Sequence, residues 1–203
     1  MGCDYMVEDN ADTTLDEATG LRHRWRIPGL FDQLWESRGD LSCYAPGSAP
    51  HRRAAQRLMD IYNQIKQAVT VKALLCTHRS HASSLNDIHL SACWASLGQL
   101  ARLRACERRW VQGSAQVMEL LVHHTVLRVE AGKVEARQIV NVAYGAACSY
   151  TGESLSMLFT TLARAAEWRM GDFNAQNLAN TAWAFAKTKQ VDGHLFTALP
   201  GRV

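Results

Sequence analysis

Hydrophobic and polar positions near the C-terminus follow the spacing of an amphipathic helix, in the stretch FNAQNLANTAWAFA at 173–186. The stretch is one copy of a repeat. A shift of 39 residues places Leu178 on Ile139, Asn180 on Asn141 and Trp183 on Tyr144. A period between about 20 and 50 residues is typical of solenoids, in which each unit buries its apolar face by stacking on its neighbours.

The repeat predicts an all-α fold, an α-solenoid of helical hairpins with about 37–39 residues per repeat. We expect a repeat domain over 51–203, with units near 85–133, 134–172 and 173–203. Its helix pairs are predicted at 136–147 with 155–168, and at 175–187 with 194–199. Leu158-Phe159-Thr160-Thr161-Leu162 recurs 37 residues later, and the last unit lacks most of its second helix, which indicates a truncated array or a fragment.

Two asparagines are predicted to cap first helices of these units. Asn86 and Asn174 are good N-cap types and hold the same place in their copies, at an offset of 88 residues. Apolar residues precede each cap and follow it four positions later, which is the spacing of a hydrophobic staple. In the last copy we expect the core positions to be Leu178, Ala179, Ala182, Trp183, Phe185 and Ala186.

Charge divides the chain into an acidic tail and a basic body. Residues 1–20 contain six acids and no Lys or Arg, which leaves 22 bases against 13 acids (19 − 6) in residues 21–203. We expect residues 1–50 to be irregular and the acidic tail to be disordered, with a boundary in the Pro-Gly-Ser-Ala-Pro segment at 46–50. The basic body suits a polyanion-binding surface, and an ordinary solvated surface is the alternative.

An arginine-rich insertion lies between the first two copies. These copies start 49 residues apart (135 − 86), so ten extra residues must fall between Leu100 and Val117. The insertion favours a polyanion contact, and simple solvation of a helix end is an equally good interpretation. Its four arginines are Arg102, Arg104, Arg108 and Arg109.

Other chemistry has little support in the sequence. The chain contains no Gly-rich phosphate loop, no nucleophile elbow and no metal-ligand spacing, so we expect no enzyme activity, no metal and no cofactor. The six cysteines show no CxxC pattern, which favours reduced thiols. No apolar run approaches the roughly 18 residues of a membrane span, so no membrane contact is expected.

The stretch FNAQNLANTAWAFAK, followed by LFTAL, resembles the helical-hairpin repeats of octotricopeptide proteins and of the related FAST-kinase-like and RAP-domain proteins. The upstream LLCTHRSHASSLNDIHLSACWASLGQLARL is similar to an earlier repeat of the same proteins, so the resemblance covers roughly residues 71–199. It implies an α-solenoid that binds single-stranded RNA, with ribonucleoprotein components as possible further partners. The implied role is organellar RNA processing, mRNA stability or translation.

Two departures from the family qualify these implications. The RAP domain is absent from this sequence, so no catalytic role carries over. The resemblance implies a mitochondrion or plastid, but the acidic N-terminus is unlike a transit peptide, which leaves the cytoplasm as an alternative.

Polar positions that differ between copies are the predicted RNA contacts, because amide and guanidinium groups can discriminate bases by hydrogen bonding. These are Arg137 and Gln138 in the middle copy and Gln176 and Asn177 in the last. For Asn141 and Asn180, which are identical, a structural hydrogen bond is the favoured interpretation. The alternative function is a protein-interaction scaffold that does not bind nucleic acid.

Overall fold

The computed structural model describes residues 48–132, 134–149 and 152–190, which form α-helices and short 3₁₀ turns without a strand. The all-α prediction is therefore confirmed for this part of the chain. The acidic segment and the predicted helix at 194–199 lie outside the described residues. The helices are α1 (Ala49–Gln67), α2 (Val71–Ser80), α3 (Asp87–Leu103), α4 (Ala105–Gly113), α5 (Glu119–Glu130), α6 (Ala136–Ser149), α7 (Leu155–Trp168) and α8 (Ala175–Thr188). The 3₁₀ turns are Ala82–Ser84, Ala115–Met118 and Met170–Asp172.

Both predicted asparagine caps are confirmed. The Asn174 side chain accepts a hydrogen bond from the Asn177 N–H at 2.8 Å. The Asn86 side chain accepts from the His89 N–H at 3.1 Å, and His89 Nδ1 accepts in return from the Asn86 N–H at 3.2 Å. Since Nδ1 of His89 is an acceptor, the proton lies on Nε2, which donates to the Leu58 carbonyl at 2.9 Å. This cap therefore also joins α3 to α1.

Four helices form one layer in the order α1, α3, α6, α8, each packed against the next. The C-terminal ends of the last three meet at one edge. There, burial raises the pKa of the Cys148 thiol on α6, while the positive charges of Lys187 on α8 and Arg102 on α3 act to lower it. These three helices are therefore parallel, with their N-termini at the opposite edge.

The helices α2, α5 and α7 lie on the other side of the core. The Ser154 hydroxyl, just before α7, donates a hydrogen bond to the carboxylate of Glu119, the first residue of α5. The N-terminal ends of α5 and α7 therefore lie side by side. At the other end of α5, Arg128 Nε lies 2.8 Å from Asp87 Oδ1 at the start of α3, so α5 runs antiparallel to α3. The apolar core lies between the two sets of helices, and the side chains of Trp94, Leu97, Ile139, Leu158 and Phe159 are almost completely buried within it.

The ten extra residues of the first repeat account for α4. This helix and the 3₁₀ turn after it occupy the interval that the sequence comparison marked as an insertion. The Glu107 carboxylate on α4 accepts a hydrogen bond from the Val71 N–H at 2.8 Å, and Arg104 donates to the Val69 carbonyl. Because a carboxylate interacts favourably with a helix N-terminus, α4 stabilises the start of α2.

The contact between α3 and α6 depends on two glycines. A Cβ atom at Gly145 would lie 2.2 Å from the Trp94 carbonyl oxygen, and one at Gly98 would lie 2.9 Å from the Gly145 Cα. Both distances are below any real van der Waals contact, so the two backbones approach at a separation that only glycine permits. The period of 39 residues did not predict this contact.

We expect Gly145→Ala to lower the free energy of unfolding by about 1–3 kcal/mol, because the new methyl group forces α3 and α6 apart. The steric cost must exceed the gain of up to about 1 kcal/mol that alanine has over glycine inside a helix. Gly113→Ala is the control, since nothing lies within 4 Å of its added Cβ. Denaturant unfolding measures both, and equal stability of the two variants would contradict the proposed contact.

A pair of histidines, His78 buried and His124 half-buried, joins α2 to α5. Nε2 of His78 lies 3.2 Å from Nδ1 of His124, and the two rings are tilted by 52°. Burial, with smaller effects of the His124 and Arg79 charges, lowers the pKa of His78 to about 4. Burial also lowers the pKa of His124. Both imidazoles are therefore neutral near pH 7.

The His78 pKa predicts a stability that falls with acid. An unfolded histidine has a pKa of about 6.5, so it takes up a proton at a higher pH than His78 does in the folded protein. The contribution of the neutral His78 to stability is therefore fully present above about pH 6.5. We expect this contribution to decrease as the pH falls from about 6.5 to 4, by roughly 3 kcal/mol for this group. His78→Leu should show a shallower dependence in denaturant unfolding across this range. An unchanged slope would mean that His78 does not titrate in this way.

Candidate nucleic-acid interface

The solvent-accessible residues of α6 form a single stripe. They are Arg137, Asn141, Tyr144 and Cys148, and every other residue of this helix is buried. The steps of four, three and four residues place all four on one side of a helix. This side faces away from the core.

The same stripe recurs on α8 at an offset of 39 residues. Gln176, Asn180, Trp183 and Lys187 occupy the equivalent positions, and each is exposed or half-buried. Because α6 and α8 are parallel neighbours, the two stripes lie side by side. We call the resulting surface the α6–α8 face; it comprises Arg137, Asn141, Tyr144, Cys148, Gln176, Asn180, Trp183 and Lys187.

Two aromatic rings meet at the middle of the α6–α8 face. Tyr144 and Trp183 are stacked, with ring centroids 4.9 Å apart and an interplanar angle of 28°. Lys187 Nζ lies 4.6 Å from the centroid of the Trp183 ring. Trp183 is 42% exposed, so a large indole remains accessible next to a cation. The face contains no acidic residue.

The core positions predicted for α8 were only partly correct. Phe185 is buried and meets Phe159 edge-on, with centroids 4.9 Å apart. Thr181 and Ala184 are buried as well, although neither was among the predicted core residues. Among the predicted core residues, Ala179, Trp183 and Ala186 are exposed, and Leu178 and Ala182 are half-buried. Trp183 points to the outer face rather than to the core, and the alanines lie on the side of α8 that α6 does not cover.

The sequence-predicted contacts lie at two opposite edges of this layer. Arg137 and Gln176 are exposed at the N-terminal edge, where α6 and α8 begin. Arg102 is exposed at the C-terminal edge, as is Lys187. The two edges are about 21 Å apart, which is the length of the 14-residue helix α6. Three further arginines, here called the arginines of α4, continue from the C-terminal edge and are also exposed: Arg104, which directly precedes α4, and Arg108 and Arg109 within it. Arg104 and Arg109 donate hydrogen bonds to backbone carbonyls.

Two other predicted contacts are less accessible. Gln138 is only 5% exposed, because it lies on the inner side of α6, so it does not belong to the surface proposed for RNA. Asn177 is half-buried, and its N–H is engaged by the Asn174 cap. The helical pattern in the sequence did not identify Tyr144, Trp183 and Lys187 as residues of this surface. The repeat itself contains a signal that could have identified them. An offset of 39 residues aligns each of the four accessible positions of α6 with one of the four on α8.

Comparison with protein-family models, with curated proteins and with solved structures finds no match to this chain. Within the residues that the structure describes, no group of three or more His, Cys, Asp or Glu side chains could hold a metal ion. None of the helices in this part of the chain is long and apolar enough to cross a membrane.

The exposure of Trp183 predicts that its side chain contributes little to stability. We expect Trp183→Ala to lower the free energy of unfolding by less than about 1 kcal/mol, since surface substitutions usually have small effects. Phe185→Ala, two residues later and fully buried, should cost about 3–5 kcal/mol. Denaturant unfolding of both variants tests this. A large loss of stability for Trp183→Ala would place its indole in the core, as the sequence pattern suggested.

Proposed function

We propose that this protein binds single-stranded RNA on the α6–α8 face. The observation that supports this best is the accessible Tyr144–Trp183 pair with Lys187 beside it and no acidic side chain on the face. Proteins that bind single strands combine cationic side chains, which follow the phosphates, with aromatic rings on which bases stack. The α6–α8 face offers both.

The position of Lys187 suggests how a base is accommodated. Its ammonium group lies over the Trp183 ring, where a cation–π contact at an exposed site contributes about 0.5–1 kcal/mol. Stacking of a base on an aromatic ring contributes about 1–3 kcal/mol, so an incoming base displaces the lysine. The lysine side chain is flexible, and after displacement its charge is available to the neighbouring phosphate.

Phosphate contacts are assigned to the two edges of the face. Arg102 and Lys187 carry positive charge at the C-terminal edge, and the arginines of α4 extend that charge. At the N-terminal edge, Arg137 lies beside the start of α6, where the helix dipole is also favourable to an anion. A strand lying along the aromatic pair therefore has cationic groups at both ends of its path.

We further propose that the helices form an α-solenoid of repeats of about 37–39 residues. The parallel row of α3, α6 and α8 and the matching stripes of α6 and α8 support this arrangement. On the side of α6 away from α3, four small residues are buried; on α8 the same positions are all alanines and are more accessible. These positions are Ala136, Val140, Ala143 and Ala147 on α6, and Ala175, Ala179, Ala182 and Ala186 on α8.

A role in organellar RNA processing, stability or translation is the extension of this proposal, and it rests on the sequence resemblance alone. The resembling stretch includes Asn174–Lys187 and so contains half of the α6–α8 face. A protein-interaction scaffold is the alternative function, since aromatic residues on a surface also suit protein partners.

Binding of a short unstructured RNA oligonucleotide, followed by fluorescence anisotropy over a series of salt concentrations, tests the proposal. We expect the double variant Tyr144→Ala/Trp183→Ala to bind roughly 10- to 100-fold more weakly, because stacking is worth about 1–3 kcal/mol per base. The variant Arg102→Gln/Lys187→Gln should reduce the slope of log K against log salt by about 1.4, or about 0.7 for each phosphate that is no longer neutralised.

The control removes the same charge from a different place. Arg53 and Arg57 are exposed on α1, so Arg53→Gln/Arg57→Gln leaves the α6–α8 face intact. RNA binding should change little in this variant. An equal loss of affinity in the control, or no binding by the wild-type chain at low salt, would overturn the proposal and favour a protein scaffold.

A further inference from the structure

A second feature lies beside the N-terminal edge of the same layer. It is a cleft of about 600 Å³, within the range of roughly 300–1,000 Å³ for small-molecule sites. One wall comes from the end of α5 and the connection to α6, where Gly132 has a φ of 77° and turns the chain. The other wall comes from the last turns of α7. The buried side chains of Val129 and Val134 provide apolar surface inside the cleft.

Trp168, the last residue of α7, lines this cleft and is 89% exposed. Such exposure is unusual for tryptophan, which is highly buried on average. Burying an aromatic side chain of this size removes 150–250 Å² from water and is favourable. The indole is therefore available as a stacking platform for a planar ligand.

The charged residues of the cleft select the kind of ligand. Arg169 Nη1 lies 3.5 Å from Asp172 Oδ2, so these two side chains form an ion pair with each other. Arg164 on α7 and Glu130 on α5 remain on opposite walls. The groups available to a ligand are therefore Trp168, Arg164 and Glu130. A ligand that matches them has a flat ring for Trp168, an anionic group for Arg164 and a hydrogen-bond donor for Glu130. A ribonucleotide has these features, because its ribose hydroxyls are donors.

Two residues of the cleft lie close along the chain to the N-terminal edge of the proposed RNA surface. Val134 lines it three residues before Arg137, and Asp172 lines it four residues before Gln176. Arg137 and Gln176 are the exposed residues at the N-terminal edge of the α6–α8 face. We therefore infer that a strand leaving the face at this edge reaches the cleft.

We propose that this cleft binds one ribonucleotide of the RNA strand. Trp168 stacks on the base, Arg164 binds the phosphate, and Glu130 accepts a hydrogen bond from the ribose 2′-hydroxyl. This last interaction makes the cleft selective for RNA over DNA. The inference rests on the proposed function for its identification of the ligand as part of an RNA chain, whereas nucleotide binding by the cleft can be measured without RNA.

The test titrates AMP and dAMP into ¹⁵N-labelled full-length protein and follows the indole N–H signal of Trp168, assigned by its disappearance in Trp168→Phe. We expect AMP to shift this signal, and Arg164→Gln to weaken AMP binding about tenfold, which corresponds to one charge-assisted hydrogen bond of about 1.4 kcal/mol. Glu130→Gln should reduce the preference for AMP over dAMP. Trp168→Phe should retain weaker AMP binding, measured by calorimetry, and Trp168→Ala should abolish it.

Two variants separate this inference from the proposed function. Tyr144→Ala/Trp183→Ala leaves the cleft intact, so AMP binding should persist while RNA binding weakens roughly 10- to 100-fold. Trp168→Ala leaves the α6–α8 face intact, so RNA binding should weaken several-fold without being abolished. If AMP leaves the Trp168 signal unchanged at millimolar concentration, the inference fails whether or not the protein binds RNA. If AMP binds and RNA does not, the proposed function fails and the cleft is a nucleotide site only.

Discussion

The close approach of α3 and α6 determines the positions of most other elements. The Trp94 carbonyl occupies the space that a side chain at residue 145 would need, so the two backbones pack directly against each other. From the same residue, the indole N–H donates to the Thr125 hydroxyl at 2.9 Å and so joins α5 to this pair. Thr125 in turn donates to the Leu121 carbonyl at 2.7 Å. One tryptophan thus connects three helices from both sides of the core.

Buried polar groups determine the position of the first turn of α3 against its neighbours, as the glycines determine the packing of its middle. Asp87 is nearly inaccessible and is paired with Arg128, while His89 is bonded to both the Asn86 backbone and the Leu58 carbonyl. Such groups are costly to bury without partners, so only one register of α1, α3 and α5 satisfies them together. The α6–α8 face is therefore attached to a layer with a defined alignment, which keeps its aromatic pair in place.

Much of this arrangement could be predicted from the sequence, because it depends on local signals. Helix periodicity, the Asn86 and Asn174 caps and the ten-residue insertion all correspond to observed features. The directions of individual side chains could not be predicted in the same way. A helical pattern shows which side is apolar, but the neighbours that cover each side determine burial, and Trp183 and Gln138 were misassigned for that reason. The repeat pattern did not mark Trp168 as a recurring surface aromatic residue, because its counterpart 39 residues earlier is Val129, a small aliphatic residue.

The insertion that forms α4 makes the two edges of the layer unequal. Its exposed arginines follow Arg102 at the C-terminal end of α3, so the insertion adds positive charge to this edge of the layer. For an approaching polyanion the consequence is kinetic. Long-range attraction acts first at the charged edge and governs the association rate, which makes that rate sensitive to ionic strength. In the proposed RNA complex, contacts with the aromatic pair form afterwards and govern how long the complex lasts.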